Sequence, residues 1–136
     1  MSTAAAPEQV DYEPLTPVGV ERKLRNLVNR LAAAQAALAD IRDTEVAAKH
    51  TFERAHRRAL LSSDCPKVTR GGFTTAERDA WVENQCATER EAFDLAEARR
   101  KAAEDHLRTL RDQSVIVATL AKSVNLAYSM AGSGAR

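Results

Sequence analysis

Aromatic residues, glycine and proline are scarce in this 136-residue sequence, and their scarcity narrows the fold class. Aromatics make up 4% of the chain, which contains 5 glycines and 4 prolines. Sheets rely on aromatic and β-branched residues and on turns rich in glycine, proline and asparagine, so this composition offers little material for a β-fold. Alanine, the strongest helix former, is the commonest residue instead. The sequence therefore predicts an all-α protein.

A strong net charge, cysteine clusters and long apolar runs are also missing. The net charge of +1 is too small for bulk attraction to nucleic acid or to an anionic membrane. No uninterrupted apolar run approaches the roughly 20 residues that span a bilayer, and Met1 to Pro14 lack the features of a signal peptide. Without a secretory signal, Cys65 and Cys86 are expected to be free thiols. We therefore expect a cytoplasmic protein with no membrane partner.

The chain divides into a short N-terminal arm and one helical domain. Residues 1–17 hold three prolines and three acids, which is typical of a flexible arm, and residues 18–136 are enough for a single domain. A first helix is predicted over about 18–62, because apolar residues recur alternately four and three positions apart, as in a coiled coil. These residues are Val20, Leu24, Leu27, Leu31, Ala34, Leu38, Ile41, Ala48, Phe52, Ala55 and Ala59, with Glu45 as a polar break.

A second helix is predicted over about 75–131, after a loop at 63–74. Thr74 and Glu77 have the spacing of a capping box, in which each side chain bonds the other residue's backbone amide. A second stripe of four-and-three spacing runs from Val82 to Tyr128. Residues 19–62 carry nine bases and five acids, whereas residues 74–113 carry ten acids and seven bases. The stripes and the complementary charges predict a long, coiled-coil-like antiparallel two-helix hairpin.

The end of the second helix is the most apolar part of the chain and is our predicted partner interface. Folding the chain at the loop places Val20 opposite Val117, so later residues have no partner within the hairpin. Lys122 is the only charge between Gln113 and the last residue. We expect self-association into a helical bundle or binding of another helical protein; coverage by the N-terminal arm and a membrane-surface helix are the alternatives. The interface residues are Val115, Ile116, Val117, Leu120, Val124, Leu126, Tyr128 and Met130.

No pattern in the sequence predicts catalysis, a metal site or a cofactor. The histidines, His50, His56 and His106, lack the four-residue spacing that places two ligands on one helical face. Glu45 and Glu89 lie on the apolar stripes, where a solitary carboxylate more often sets helix register than performs acid–base chemistry. We therefore expect a non-enzymatic protein.

Basic residues concentrate around the loop and define a second candidate surface. They are Arg54, Arg57, Arg58, Lys67, Arg70 and Arg78. Such a basic tip could bind the phosphate backbone of a nucleic acid independently of its base sequence. The alternative is a solvated turn, because acids such as Glu53 and Asp79 lie nearby in the chain. Binding of nucleic acid is thus the second hypothesis for the function.

Resemblance to known families is limited to the general plan. The two-helix plan is similar to that of small WXG-type secretion substrates, but the turn reads Arg70-Gly71-Gly72-Phe73 in place of Trp-x-Gly. No acid follows Tyr128 at the third position, and that family's function is not carried over. The composition, with 15 arginines against 5 lysines, resembles that of small accessory proteins of bacteriophages with GC-rich hosts. The hypothesis is a helical interaction or assembly protein of that type.

Overall fold

The computed structural model describes residues 15–133 and shows an all-α protein. Helix α1 spans Pro17–Leu60, α2 spans Thr75–Gln85 and α3 spans Ala87–Ser133. Together the helices contain 86% of the described residues, among which no strand occurs. The predicted all-α class is confirmed. The predicted N-terminal arm lies outside the described residues, except for its last three positions.

The capping box at the start of α2 is present in both halves. The Glu77 backbone amide donates to Thr74 Oγ1 at 3.2 Å, and the Thr74 amide donates to Glu77 Oε2 at 3.1 Å. These two bonds satisfy amides that would otherwise lack a partner at a helix start. The predicted start of this helix is therefore confirmed. The preceding loop begins two residues earlier than predicted, because α1 ends at Leu60.

The single helix predicted over 75–131 is wrong in one respect, because Cys86 divides it into α2 and α3. Cys86 has φ −114° and ψ 22°, outside the regular helical range. Its thiol donates to the Val82 carbonyl at 3.1 Å, and its backbone amide donates to the same carbonyl at 3.2 Å. A side chain that hydrogen-bonds to a carbonyl of the preceding turn competes with the backbone amide for that carbonyl. Such competition can bend a helix even where the helix contains no proline or glycine.

The described chain forms two compact units, and the larger one is Asn29–Arg111. In this unit α1 and α3 contact each other through Phe52 and Phe93, whose rings stack with centroids 6.2 Å apart. Arg42 also pairs with Glu104 at 3.4 Å. The buried side chains of this unit include Leu38, Ala96, Leu107 and Leu110.

A second buried cluster in the larger unit joins the loop to α2. Cys65 from the loop is buried with Ala59, Val82 and Cys86, and Trp81 packs against this cluster. The loop therefore lies against α2 and the end of α1. Both cysteines are free thiols.

Among the described residues, the smaller unit consists of 15–28 and 112–133. Val20 is its most buried residue, and it lines a cleft of about 280 Å³ together with Leu24, Ala121 and Asn125. The predicted register, with Val20 opposite Val117, is thus wrong by about two helical turns. That register assumed a symmetric fold about the centre of the loop, whereas the loop packs asymmetrically against α2 and the end of α1.

Candidate interaction surfaces

The C-terminal part of α3 exposes most of its large apolar side chains. The exposed members of the predicted interface are Val115, Ile116, Leu120, Leu126, Tyr128 and Met130. Val117 and Val124 are half-buried instead. The structure therefore leaves six of the eight predicted residues accessible and the other two half-buried.

The half-buried side of this segment is the one that α1 partly covers within the smaller unit. Ser114, Val117, Ala121 and Val124 are half-buried and follow the three-and-four spacing of one helical face. Ala121 lies in the cleft beside Val20. The expectation that this segment has no partner within the chain is therefore wrong for this side of the helix.

The opposite side carries what we call the C-terminal apolar face, defined as Val115, Ile116, Leu120 and Leu126. With 3.6 residues per turn, these four positions fall within about 140° of the helix circumference. Thr119, Ser123 and Ala127 lie between them and are also exposed. The face therefore has small residues along its centre and larger apolar residues along its edges.

The two hydroxyls on the C-terminal apolar face are bonded within the helix. Thr119 Oγ1 donates to the Val115 carbonyl at 3.0 Å, and Ser123 Oγ donates to the Thr119 carbonyl at 3.3 Å. A buried hydroxyl without a partner would cost free energy. Because each of these hydroxyls already has an acceptor, the face can be covered without leaving a donor unsatisfied.

One helical stretch meets the length and composition of a membrane span. Ala87–Gly132 contains an 18-residue window of mean hydropathy 1.2, none of which is buried. The sequence contains no uninterrupted apolar run of that length. The mean hydropathy of the 18-residue window is nevertheless high, because Lys122 is the only charged residue in that part of the helix. Length and composition alone do not establish a membrane span.

The basic tip lies in the larger unit, at the end of α1 and in the following loop. Arg54, Arg57, Arg58, Lys67 and Arg70 are exposed, and no ion pair involves them within residues 15–133. Arg78 differs, since its guanidinium lies 3.4 Å from Asp79 Oδ1. The structure thus brings five unpaired cations to this part of the unit.

Sequence analysis missed a charged cluster between α1 and α3 in the larger unit. Arg100 on the second stripe pairs with Glu45 on the first, and also with Glu104 at 3.1 Å. Arg42 completes the cluster by its contact with Glu104. One polar interruption of each stripe, Glu45 on the first and Arg100 on the second, therefore meets the other. The hydrogen bond that Arg100 donates to Glu45, with a further one donated to Glu104, raises the pKa of Arg100.

Two carboxylates of α3 are held in their charged form. The hydrogen bond from Arg100, supported by Arg42, lowers the pKa of Glu104 below its ordinary value of 4.5. Lys101, whose Nζ lies 2.8 Å from Glu97 Oε1, likewise lowers the pKa of Glu97. Both carboxylates therefore contribute to folding only while they are ionised.

These shifts predict that the folded state weakens in acid. A carboxyl group with a lowered pKa in the folded chain stabilises it above the unfolded pKa, and the contribution is lost as the pH falls through the folded pKa. We expect the urea midpoint to fall between neutral pH and about pH 3. The double variant Glu97→Gln/Glu104→Gln should show a smaller fall.

The matched control for this pH dependence is Glu83→Gln. Glu83 is exposed and has no ion pair in the described part of the chain. Its replacement should leave the pH dependence of the native chain unchanged. If Glu83→Gln reduced the pH dependence of the urea midpoint as much as the double variant does, the assignment of this dependence to Glu97 and Glu104 would be contradicted.

One cleft lies beside Cys86 in the larger unit. It has a volume of about 850 Å³ and is lined by Phe52, His56 and Arg90, among others. The Arg90 guanidinium lies 5.2 Å from the centre of the Phe52 ring. Among residues 15–133, no group of three or more His, Cys, Asp or Glu side chains is placed to hold a metal ion. The cleft therefore presents an aromatic wall and mixed charges without a recognisable catalytic arrangement.

The helices and surfaces define an all-α protein with an exposed apolar helix face and a basic tip. Comparison with protein-family models, curated proteins and solved structures finds no match to the chain.

Proposed function

We propose that this chain is a non-enzymatic helical assembly protein that associates with a second copy of itself through the C-terminal apolar face. The observation that carries the proposal is the exposure of Val115, Ile116, Leu120 and Leu126 on a helix segment that has Lys122 as its one charge. Contiguous exposed apolar surface of this kind commonly marks an interaction site.

A coiled-coil-like antiparallel hairpin is the scaffold we propose for this face. In the larger unit, Arg42 of α1 contacts Glu104, whereas the later Phe52 contacts the earlier Phe93. Contacts in this order are those of antiparallel helices. The four-and-three spacing of the buried positions is also typical of coiled coils. Two helices share only a narrow interface, so further burial by association would stabilise such a scaffold.

The composition of the face favours a second copy as its occupant. In a two-fold symmetric dimer the same surface patch meets itself, so a charged patch would oppose like charges. Val115, Ile116, Leu120 and Leu126 are uncharged, and the central Thr119 and Ser123 have their hydroxyls already bonded. Full burial of each large apolar side chain contributes about 1.5–3 kcal/mol. A different helical protein and a membrane surface are the competing occupants.

Light scattering coupled to size-exclusion chromatography tests self-association directly. We expect a mass that rises with concentration above the 14.9 kDa of one chain. A mass of one chain at high micromolar concentration would contradict the proposal. Flotation with phosphatidylserine vesicles separates the membrane alternative, because vesicle binding by a chain that stays monomeric in buffer would favour lipid as the occupant.

The setting we propose is the cytoplasm, where the chain would act as an accessory protein of the bacteriophage type. Cys65 and Cys86 are free thiols in the described chain, in keeping with a reducing compartment. The accessory role is supported by the alanine-rich and arginine-rich composition.

A further inference from the structure

The chain concentrates positive charge around its loop although it is almost neutral as a whole. Residues 54–78 hold six arginines and lysines but two acids, a net charge of +4, and the flanking acids Glu53 and Asp79 reduce this to +2. All of these residues belong to the larger unit. Five of the six cations are exposed and form no ion pair among residues 15–133, so they can attract a polyanion that the overall charge of +1 would not.

The two acids within this stretch form no ion pair with its cations among the described residues. Glu77 uses its carboxylate to accept the Thr74 backbone amide at 3.1 Å. Asp64 is exposed, and no ion pair involves it within the described residues. Among the six cations, Arg78 alone forms an ion pair within residues 15–133, with Asp79, and its side chain is the least exposed of the set. The remaining five cations are therefore available to an external ligand.

Hydrogen bonding and two glycines give the loop a defined shape. Val68 and Phe73 form a backbone bridge, and the Gly72 amide donates to the Thr69 carbonyl at 3.0 Å. Gly71 has φ 82°, a conformation that residues with a side chain rarely adopt. A Cβ on Gly72 would lie 2.3 Å from Thr69 Oγ1, so a side chain there would force the Thr69 hydroxyl to move. The loop is therefore a compact turn that favours glycine at both positions.

This turn exposes a cation and an aromatic ring three residues apart. Arg70 lies within the turn and is exposed, and Phe73 at its end is 53% exposed. Lys67 is exposed on the other side of the bridge. The exposure of Phe73 beside these cations is visible only in the structure.

We propose that the basic tip binds single-stranded nucleic acid, with Lys67 and Arg70 on phosphates and Phe73 stacked on a base. Five of the six cations are arginines, whose planar guanidinium pairs with phosphate oxygens through two parallel hydrogen bonds. Stacking on an aromatic ring requires an unpaired base, which a single strand offers and a duplex does not. The binding does not depend on base sequence, and it is a function separate from self-association.

Fluorescence anisotropy of a labelled oligothymidylate of about 20 nucleotides, with the full-length chain, tests the proposal. We expect binding at low salt that weakens steeply as salt rises, because bound phosphates release counterions. Lys67→Gln/Arg70→Gln should weaken binding about 10-fold or more and make the salt dependence shallower by a slope of about 1.4. Phe73→Leu should weaken binding about 5-fold or more and leave the salt slope unchanged.

The matched control is Arg22→Gln/Lys23→Gln, which removes two exposed cations from α1 in the smaller unit. This variant should bind the oligonucleotide as the native chain does. Equal weakening by the control variant, or no binding at low salt, would overturn the proposal.

Anionic vesicles provide the second arm of the experiment, since an exposed Phe73 and nearby cations could also meet a lipid surface. Leucine retains the apolar character needed for insertion into lipid but cannot stack on a base. Nucleic-acid binding that Phe73→Leu weakens supports the proposal. The proposal would be overturned if the native chain and Phe73→Leu both bound phosphatidylserine vesicles and neither bound the oligonucleotide. Circular dichroism checks that Lys67→Gln, Arg70→Gln and Phe73→Leu leave the helices intact.

Discussion

A chain that carries Ile116→Ser, Leu120→Ser and Leu126→Ser is expected to remain a monomer of 14.9 kDa at concentrations where the native chain associates. The three side chains are exposed and form the larger part of the C-terminal apolar face. Their replacement removes about 1.5–3 kcal/mol of burial for each side chain in each copy. Light scattering at matched concentrations measures the loss of mass. Because the three residues are exposed in the single chain, the helical content should change little.

The matched control for this variant replaces exposed apolar residues of the larger unit. Val46 and Leu95 are exposed to a similar degree, and they also lie on α1 and α3. Val46→Ser/Leu95→Ser should leave the oligomeric mass unchanged. Equal loss of mass in both variants would contradict an interface restricted to the C-terminal apolar face. Substitutions at Val117 or Val124 are less informative, because these half-buried residues also stabilise the smaller unit.

The buried faces of the long helices could be predicted from local sequence alone. Every position of the first stripe, from Val20 to Ala59, is buried or half-buried, and the second stripe departs from this pattern only at Tyr128. Helical periodicity is a local property, since residues three and four apart share one face. The capping box at Thr74 is equally local, because its two partners lie three residues apart.

The pairing of the two stripes could not be predicted in the same way. It depends on where the chain turns, and this is set by contacts of the loop, such as those of Cys65 with Val82 and Cys86. Both stripes are regular, so a slide of one against the other by whole turns keeps apolar residues facing each other. The pair of Glu45 with Arg100 is specific to one alignment. Their attraction indicates the register that apolar periodicity leaves open.

The break at Cys86 and the accessibility of the candidate surfaces also required the structure. Cysteine is not a residue that interrupts helices by its own conformational preference, and the break follows from burial of its thiol beside Val82. The sequence identified the apolar segment 115–130 and the basic tip. It could not divide that segment into a side lying against Val20 and Leu24 and a side left exposed, because that division depends on the register.

Replacement of Leu110 by alanine is expected to cost about 2–5 kcal/mol in the free energy of unfolding, the usual range for a buried leucine. Leu110 is 1% exposed in the larger unit, so its truncation removes buried apolar surface and leaves a cavity. Leu95→Ala is the matched control, since Leu95 is on the same helix and in the same unit but is 53% exposed. The same chemical change there should cost less than about 0.5 kcal/mol.

Urea unfolding followed by circular dichroism measures both leucine variants at one fixed protein concentration, because association makes apparent stability depend on concentration. The expected difference arises from burial alone, since helix propensity favours alanine slightly at both positions. Equal midpoints for Leu110→Ala and Leu95→Ala would contradict the burial of Leu110 in the core of the larger unit. Leu110→Ala could lower the free energy of unfolding by a large amount and leave the oligomeric mass of the folded fraction unchanged. That result would show that stability, which depends on the core of Asn29–Arg111, and association, which depends on the C-terminal apolar face, are independent. This independence is expected, because Leu110 is buried within the larger unit and the face belongs to the smaller one.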